Sequence, residues 1–261
     1  MRRILFFLIT CLILSCKNFV YHPDEIRPNA KQLNPKNIQK IQSLAAKTSF
    51  KFILIGDTQR FYDELEAFVA HVNSKNDISF VLFDGDLVDF GWNREYNWVY
   101  ERLAKLKLPY ISTIGNHDML ANGRLIYKEM FGPENFTFNY SGSKFICLNT
   151  NSREAGYDGT IPDVNWLTNE LKDTTPQNIF ILAHVPPFSD DFNRGIEFDY
   201  RVLLRSNPKT RLSLNGHEHQ YRLVQPYFDG LEYLVAGAGN QRNYALITVN
   251  GTEYSIEEKF Y

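Results

Sequence analysis

Short apolar runs alternate with helix-like apolar repeats along the chain from about residue 36. The runs are nearly continuous, which is typical of strands with both faces covered. Predicted strands cover 50–55, 80–83, 110–114, 145–148, 179–183, 211–214, 231–236 and 244–249. Helical spacing of apolar residues predicts helices that contain Ile41, Phe68, Val99 and Leu167. Since the first strands and helices alternate, we expect parallel strands joined by right-handed crossovers.

Helical repeats become rarer toward the C-terminus. Residues 244–261 alternate between apolar and polar around Asn250-Gly251, a dipeptide that favours a two-residue hairpin turn. The predicted fold class is therefore α/β, either one mixed sheet with antiparallel additions or two mixed β-sheets packed face to face with helices outside. No block repeats at intervals of 20 to 50 residues, which argues against a solenoid or a propeller.

The first residues have the pattern of an export signal. Arg2 and Arg3 precede an apolar stretch, 4–14, which is too short for a helix that spans a bilayer, since that needs ~20 residues. The stretch ends in Leu14-Ser15-Cys16, which resembles the bacterial lipobox, where cleavage before the cysteine leaves its thiol to carry lipid. An ordinary cleaved signal and a buried first helix are the alternatives.

This N-terminal pattern predicts three parts of the chain: a signal peptide at 1–15, a lipidated tether at 16–35 and a single domain at 36–261. The tether is polar and contains Pro23, Pro28 and Pro35. We expect an exported protein of the bacterial cell envelope that is anchored in the lipid bilayer through acylated Cys16. The leaflet and the oligomeric state are left open.

Composition narrows the class of partner. Apolar residues make up 44% of the chain and charged residues 22%, which is typical of a globular domain. Lys and Arg number 28 against 30 Asp and Glu, and this absence of a basic excess makes nucleic acid an unlikely partner. Loss of the signal peptide and acylation of Cys16 would leave Cys147 as the only free thiol, so we expect no internal disulfide and a buried Cys147.

Five predicted strands end in a cluster of polar residues. The clusters are Gly56-Asp57-Thr58-Gln59, Gly85-Asp86-Leu87-Val88-Asp89, Gly115-Asn116-His117-Asp118, Ala183-His184 and Gly216-His217-Glu218-His219. Ligands of open α/β sheets bind at the carboxyl edge of the strands, so we expect these clusters to converge. Their carboxylate, amide and imidazole groups suit Mn²⁺, Fe or Zn²⁺, whereas copper(I) or iron–sulfur sites would use cysteine.

The ordered set GDxQ, GDxxD, GNHD, a lone His and GHxH resembles the calcineurin-like metallophosphoesterase family. The motifs extend from Gly56 to His219, about two-thirds of the chain. The resemblance implies a four-layer sandwich with two divalent metal ions at the strand ends. It also implies hydrolysis of a phosphate mono- or diester, a small molecule, by a water that both metals activate.

Carried over residue by residue, the resemblance assigns Asp57, Gln59, Asp86 and His219 to one metal. It assigns Asp86, Asn116, His184 and His217 to the other, with Asp86 as the bridge. His117 would protonate the leaving oxygen, Asp118 would orient the His117 ring, and Asp89 would hold a ligand or loop from behind. Most family members have His where Gln59 stands. The amide oxygen of Gln59 is a harder ligand than imidazole, and it weakly favours Mn²⁺ or Fe over Zn²⁺.

Each of these residues also has a simpler structural interpretation, because Asp, Asn and Gly often form turns and caps at strand ends.

Beyond the motifs, Trp92 is a candidate wall of the substrate pocket. Arg153 and Arg194 lie in predicted loops and are available to a phosphate, although solvated loop arginines are more common. The alternative function is a non-catalytic surface binding lipoprotein on a phosphoesterase scaffold.

Overall fold

The structure is a computed structural model that describes residues 25–261. The predicted signal peptide and Cys16 lie outside the described residues. The helices are α1 (Leu33–Ser43), α2 (Tyr62–Val72), α3 (Asn93–Leu103), α4 (Gly123–Met130), α5 (Val164–Leu171) and α6 (Arg194–Ser206). The strands are β1 (Ser49–Ile55), β2 (Phe80–Phe83), β3 (Tyr110–Ser112), β4 (Phe136–Tyr140), β5 (Ser143–Leu148), β6 (Asn178–Ala183), β7 (Thr210–Asn215), β8 (Arg222–Val224), β9 (Glu232–Val235), β10 (Asn243–Asn250) and β11 (Glu253–Phe260).

The strands form two mixed sheets, as the second of the two predicted arrangements requires. The first sheet has the order β11-β10-β1-β2-β3, and the second has the order β4-β5-β6-β7-β9-β8. Strands β1, β2 and β3 are parallel, and so are β5, β6, β7 and β9. Hairpin β10–β11 turns at residues 250–253, and it lies antiparallel to β1 at the edge of the first sheet.

Aromatic side chains fill the space between the two sheets. The ring of Phe52 on β1 lies 5.4 Å from Phe145 on β5 and 5.6 Å from Phe180 on β6, measured between centroids. Cys147 belongs to the same buried cluster, as predicted. A second cluster joins the outer face of the first sheet to α2, α3 and α4, and a third joins the second sheet to α5 and α6. The result is four layers with helices outside.

The N-terminal boundary of the domain lies before residue 36. Helix α1 begins at Leu33, and the buried Asn34 side chain hydrogen-bonds both backbone groups of Ser112 at the edge of β3. Upstream, the backbone N–H of Asn29 donates to Asn97 Oδ1 on α3. Residues 29–35 of the predicted tether therefore pack on the domain. In the part of the chain from residue 25 onward, no helix is both long and apolar enough to cross a bilayer.

Two helices and two strands were not predicted from the apolar pattern. In both helices, exposed apolar residues obscure the helical spacing of the buried ones: Leu125 in α4, and Phe198 and Val202 in α6. Strands β4 and β8 lie at sheet edges, where exposed positions interrupt the apolar run.

Candidate metal centre and active site

All seven predicted metal ligands lie just beyond the carboxyl ends of parallel strands. Asp57 and Gln59 follow β1, Asp86 follows β2 and Asn116 follows β3 in the first sheet. His184 follows β6, and His217 and His219 follow β7 in the second sheet. Because the two sheets pack face to face, these ends meet at one edge of the sandwich.

The predicted ligands of the second metal meet around Asn116. Its Oδ1 lies 3.1 Å from Nε2 of His184 and 2.9 Å from Nδ1 of His217. Nε2 of His184 also lies 3.3 Å from Oδ1 of Asp86. The amide oxygen, two imidazole nitrogens and a carboxylate oxygen therefore face the same space.

The predicted ligands of the first metal meet on the other side of Asp86. Oδ1 of Asp57 lies 3.2 Å from Nε2 of His219, and Gln59 Nε2 donates to Asp86 Oδ2 at 3.3 Å. Ligand atoms of Asp57, Asp86 and His184 lie within 4.8 Å of one another. The two oxygens of Asp86 face the two different sets, which is the placement that a bridging carboxylate requires.

The donor set fits divalent cations. Gln59 Oε1 is buried and has no hydrogen-bond partner among the described residues, and rotation of the amide would turn this oxygen toward Asp86 and His219. Asp57 and Asp86 are both buried. Buried carboxylates are costly unless cations compensate their charge, so a pair of divalent ions is the expected counter-charge.

Four of the predicted ligands have a left-handed backbone conformation that residues with a Cβ rarely adopt. The φ angles are 48° at Asp57, 50° at Asp86, 72° at His217 and 56° at His219. Each costs about 1 kcal/mol, and such residues are concentrated at functional sites. The fold therefore holds these side chains in place at the expense of local strain.

Gly115 allows the end of β3 to approach Asp86. A Cβ on Gly115 would lie 2.1 Å from the backbone nitrogen of Asp86 and 2.2 Å from its Oδ1. We expect Gly115→Ala to lower the free energy of unfolding of the metal-free protein by about 1–3 kcal/mol, because the backbone of Asp86 must move. Denaturant unfolding measures this, with Gly195→Ala at the start of α6 as a control that stays near wild type. An unchanged midpoint for Gly115→Ala would show that the two strand ends are not tightly packed.

Two neighbouring imidazoles have oppositely shifted pKa values. Burial opposes a charge on His184, but the Asp86 carboxylate beside it raises the pKa of His184 to about 10. Burial, and after it the positive charge of His184, lowers the pKa of His217 to about 4. At pH 7, in the metal-free protein, His184 is thus a positively charged imidazolium and His217 is a neutral imidazole.

As a predicted metal ligand, His184 must lose the proton on its Nε2 when Mn²⁺ binds. We expect release of about one proton and a rise in affinity of about tenfold per pH unit as pH rises toward the pKa of His184. Calorimetry in two buffers of different ionisation enthalpy measures the proton release. His71→Gln, remote from the site, should leave it unchanged. Affinity that does not vary with pH would exclude protonated His184 as the resting state.

Asp118 does not orient the His117 ring, which corrects the prediction. Its Oδ1 accepts hydrogen bonds from the backbone N–H groups of Leu87 and Val88, and its Oδ2 accepts one from Gly115. Burial, followed by repulsion from Asp86, raises the pKa of Asp118 to about 8. Asp118 therefore ties the second and third motif loops together, because unpaired N–H groups at these turns require an acceptor.

The His117 ring is instead held by a backbone carbonyl. Its Nδ1 lies 2.7 Å from the oxygen of Asp89, while its backbone N–H donates to Asp86 Oδ1 at 2.9 Å. The Asp89 side chain accepts from Arg60 Nε at 2.6 Å. Asp89 thus contacts the His117 ring through its main-chain oxygen and Arg60 through its carboxylate.

The three predicted substrate contacts differ in their surroundings. Trp92 is 45% exposed and lies with Phe90 in the loop that follows Asp89, with ring centroids 5.4 Å apart. Arg153 and Arg194 are about half exposed, and both pair with carboxylates. Arg194 opens α6 and contacts Asp190 and Glu197, whereas Arg153 contacts Glu154 and Asp191.

Asp84 is a site residue that the motifs did not reveal. It is fully buried beside Asp57, and neither carboxylate oxygen has a hydrogen-bond partner among the described residues. Burial, and then the charge of Asp57, raises its pKa well above the ordinary value. A Cβ on Gly56 would lie 1.6 Å from Asp84 Oδ1, and one on Gly216 would lie 2.5 Å from it, so two motif glycines make room for this carboxylate. An acid directly before Gly85-Asp86 was the available signal.

The fold and this set of side chains are those of a metallophosphoesterase, and comparison with known proteins agrees. The profile of the calcineurin-like phosphoesterase family matches residues 50–221. The chain belongs to this family, so the resemblance drawn from the motifs is confirmed.

Individual relatives share parts of the chain. A probable cyclic nucleotide phosphodiesterase of Moraxella catarrhalis is 26% identical over 165 residues, which are 56% of this chain and 60% of that protein. A probable glycerophosphodiester phosphodiesterase of Arcobacter nitrofigilis is 27% identical over 126 residues, 46% of each chain. The chain thus spans about half the length of these curated relatives. A dimetal phosphatase from Danio rerio has the same fold, with a TM-score of 0.63 at 14% identity over 81% of this chain and 99% of that one.

Proposed function

We propose that this chain is a metal-dependent hydrolase that cleaves phosphate mono- or diesters of small molecules. The observation that carries the proposal is the convergence of seven ligand side chains from five strand ends into two adjoining sets that share Asp86. Diesters are favoured, because the curated relatives named above are described as phosphodiesterases.

The residues of the site have two proposed roles: some bind the cations, and His117 donates a proton. Asp57, Gln59, Asp86 and His219 would hold one divalent ion, and Asp86, Asn116, His184 and His217 the other. When bound, such a pair lowers the pKa of water and offsets the negative charge of a phosphoryl group. His117 is anchored through Nδ1 to Asp89, which leaves Nε2 to donate a proton to the departing oxygen.

Hydrolysis by reconstituted protein tests the proposal. Metal-free protein is supplied with Mn²⁺, Fe²⁺ or Zn²⁺ and assayed against phosphomonoesters, phosphodiesters and pyrophosphates. We expect turnover that depends on metal, fastest with a diester, and about two ions bound per chain. Metal-loaded protein that is inert toward the whole panel would contradict the proposal and favour a binding protein on the same scaffold.

Trp92 is proposed to contact the leaving group. It follows Asp89, which holds the proposed proton donor, and its indole ring is half exposed. We expect Trp92→Ala to raise KM for an aryl phosphodiester about tenfold, with little change for a methyl ester that cannot stack. Initial rates measure this, with exposed Phe228→Ala in the β8–β9 loop as the control. Equal KM for both esters in the variant would exclude a stacking contact.

We also propose that acylated Cys16 anchors the protein in the bacterial cell envelope. The support is the charged start, short apolar stretch and Leu14-Ser15-Cys16 end of the export signal. Mass spectrometry of the mature N-terminus in a bacterial host should find a lipid-modified cysteine. Cys16→Ser should move the protein out of the membrane fraction, and unmodified Cys16 in wild type would contradict the anchor.

A further inference from the structure

His217 lies between the candidate metal centre and a loop that no motif singled out. Its Nδ1 lies 2.9 Å from Asn116 Oδ1, inside the cluster of predicted ligands. Its Nε2 lies on the far side of the ring, 3.1 Å from Oδ2 of Asp191 in the loop before α6. The imidazole therefore bridges the centre and the Asp191 carboxylate.

Asp191 is in turn fixed by Arg153 from the loop after β5. Nη1 of Arg153 lies 2.9 and 2.8 Å from the two oxygens of Asp191, and Nε of Arg153 lies 3.1 Å from Glu154. The backbone N–H of Asp191 also donates to Ser189 Oγ at 3.3 Å. Two loops that are far apart in sequence are thus joined at one carboxylate beside His217.

We propose that Asp191 is a positioning residue that sets the tautomer and orientation of His217, and that Arg153 holds Asp191 in place for this purpose. A neutral imidazole carries one proton, and a carboxylate attracts it more strongly than the neutral amide oxygen of Asn116. The proton therefore resides on Nε2 and is donated to Asp191. The lone pair on Nδ1 then faces the predicted metal ligands, where it can coordinate a cation.

The other oriented rings of the site use a weaker acceptor. Nδ1 of His184 lies 2.9 Å from the backbone oxygen of Asp84, and Nδ1 of His117 lies 2.7 Å from that of Asp89. A backbone oxygen fixes a ring but brings no net charge. A carboxylate both fixes the ring and increases the basicity of the opposite nitrogen, which strengthens its bond to a metal. His217, on a strained loop with φ of 72°, receives this additional support.

The first experiment reads the tautomer directly in metal-free protein. Long-range ¹H–¹⁵N spectra of histidine-labelled protein at neutral pH should show His217 with its proton on Nε2. In Asp191→Ala the proton should shift toward Nδ1, because Asn116 Oδ1 becomes the remaining acceptor. Asp191→Asn keeps an acceptor of the same size without the charge, so it should give an intermediate mixture, and it serves if the alanine variant does not fold.

The second experiment measures Mn²⁺ binding by calorimetry. Asp191→Ala should weaken one of two Mn²⁺ ions by about ten- to a hundredfold and leave the other unchanged. Arg153→Met should weaken the same ion less. Because both residues act through one ring, the double variant should be no weaker than Asp191→Ala alone. Asp190→Asn is the matched control, because the exposed carboxylate of Asp190 is next to Asp191 in sequence but contacts Arg194. This variant should bind Mn²⁺ like wild type.

The outcomes separate this inference, which rests on the proposed metal site, from the proposed function itself. A His217 proton on Nδ1 in wild type, or an Asp191→Ala variant that binds both ions as tightly as wild type, overturns the positioning role. Protein with the Nε2 proton that binds none of Mn²⁺, Fe²⁺ and Zn²⁺ at any pH keeps the positioning role and overturns the metal-dependent function.

Discussion

Asp86→Ala should abolish binding of both metal ions and reduce turnover by about a thousandfold or more. Oδ1 of Asp86 faces His184, and Oδ2 faces Gln59, so a single substitution removes one ligand from each set. Removal of a ligand of only one ion, as in Asn116→Ala, should spare the first ion. Metal analysis after dialysis, together with initial rates, measures both effects.

A surface substitution controls for loss of a carboxylate as such. Asp77→Asn removes an exposed acid that contacts Lys51 far from the centre, so it should retain two ions and full activity. Circular dichroism checks that Asp86→Ala folds, and Asp86→Asn preserves the side-chain volume if it does not. Two ions per chain in folded Asp86→Ala would rule out a shared carboxylate.

His117→Ala should retain both ions and lose turnover in a way that depends on the leaving group. The backbone N–H of His117 donates to Asp86, and alanine keeps this bond, so the metal ligands should stay in place. For an alkyl ester, whose leaving oxygen needs a proton, we expect kcat to fall about 10²–10⁴-fold. For an aryl ester with a stable phenolate, the loss should be much smaller.

The ratio of the two losses distinguishes a proton donor from a substrate-binding ring. His71→Ala removes an imidazole that contacts Tyr244 behind the first sheet, and it should leave both rates unchanged. Equal losses for the alkyl and aryl esters would show that His117 binds the phosphoryl group without protonating the leaving oxygen.

The strand-end clusters were predictable because their chemistry is local in sequence. Each follows a buried apolar run, and parallel strands in one sheet end at the same edge. The structure places Asp57, Asp86 and Asn116 at one edge of the first sheet, as this rule requires. The sequence pattern could not give the distances between the strand ends of the two sheets, because these distances depend on how Phe52 packs against Phe145 and Phe180.

The role predicted for Asp118 was wrong because its side chain has competing partners. Asp118 follows His117 directly, yet its carboxylate satisfies three backbone N–H groups, since such groups cannot remain unpaired at a buried turn. Arg153 pairs with Asp191 from a loop distant in sequence, whereas Arg194 pairs with Asp190 and Glu197, which lie within four residues of it. The contacts of Asp118 with Leu87 and Val88 and of Arg153 with Asp191 are not visible in a linear pattern, because they depend on which loops meet.

The amino-acid sequence alone determined the α/β class, the family and the residues that line the strand ends, since these follow from local periodicity and from the order of short motifs. Only the tertiary structure decided which oxygen of Asp86 faces which set, that Asp84 is buried beside Asp57, and that Asp191 contacts His217. The physical reason is that hydrogen bonding and charge pairing act over about 3 Å, and residues distant along the chain reach this distance only after the sheets and loops have packed.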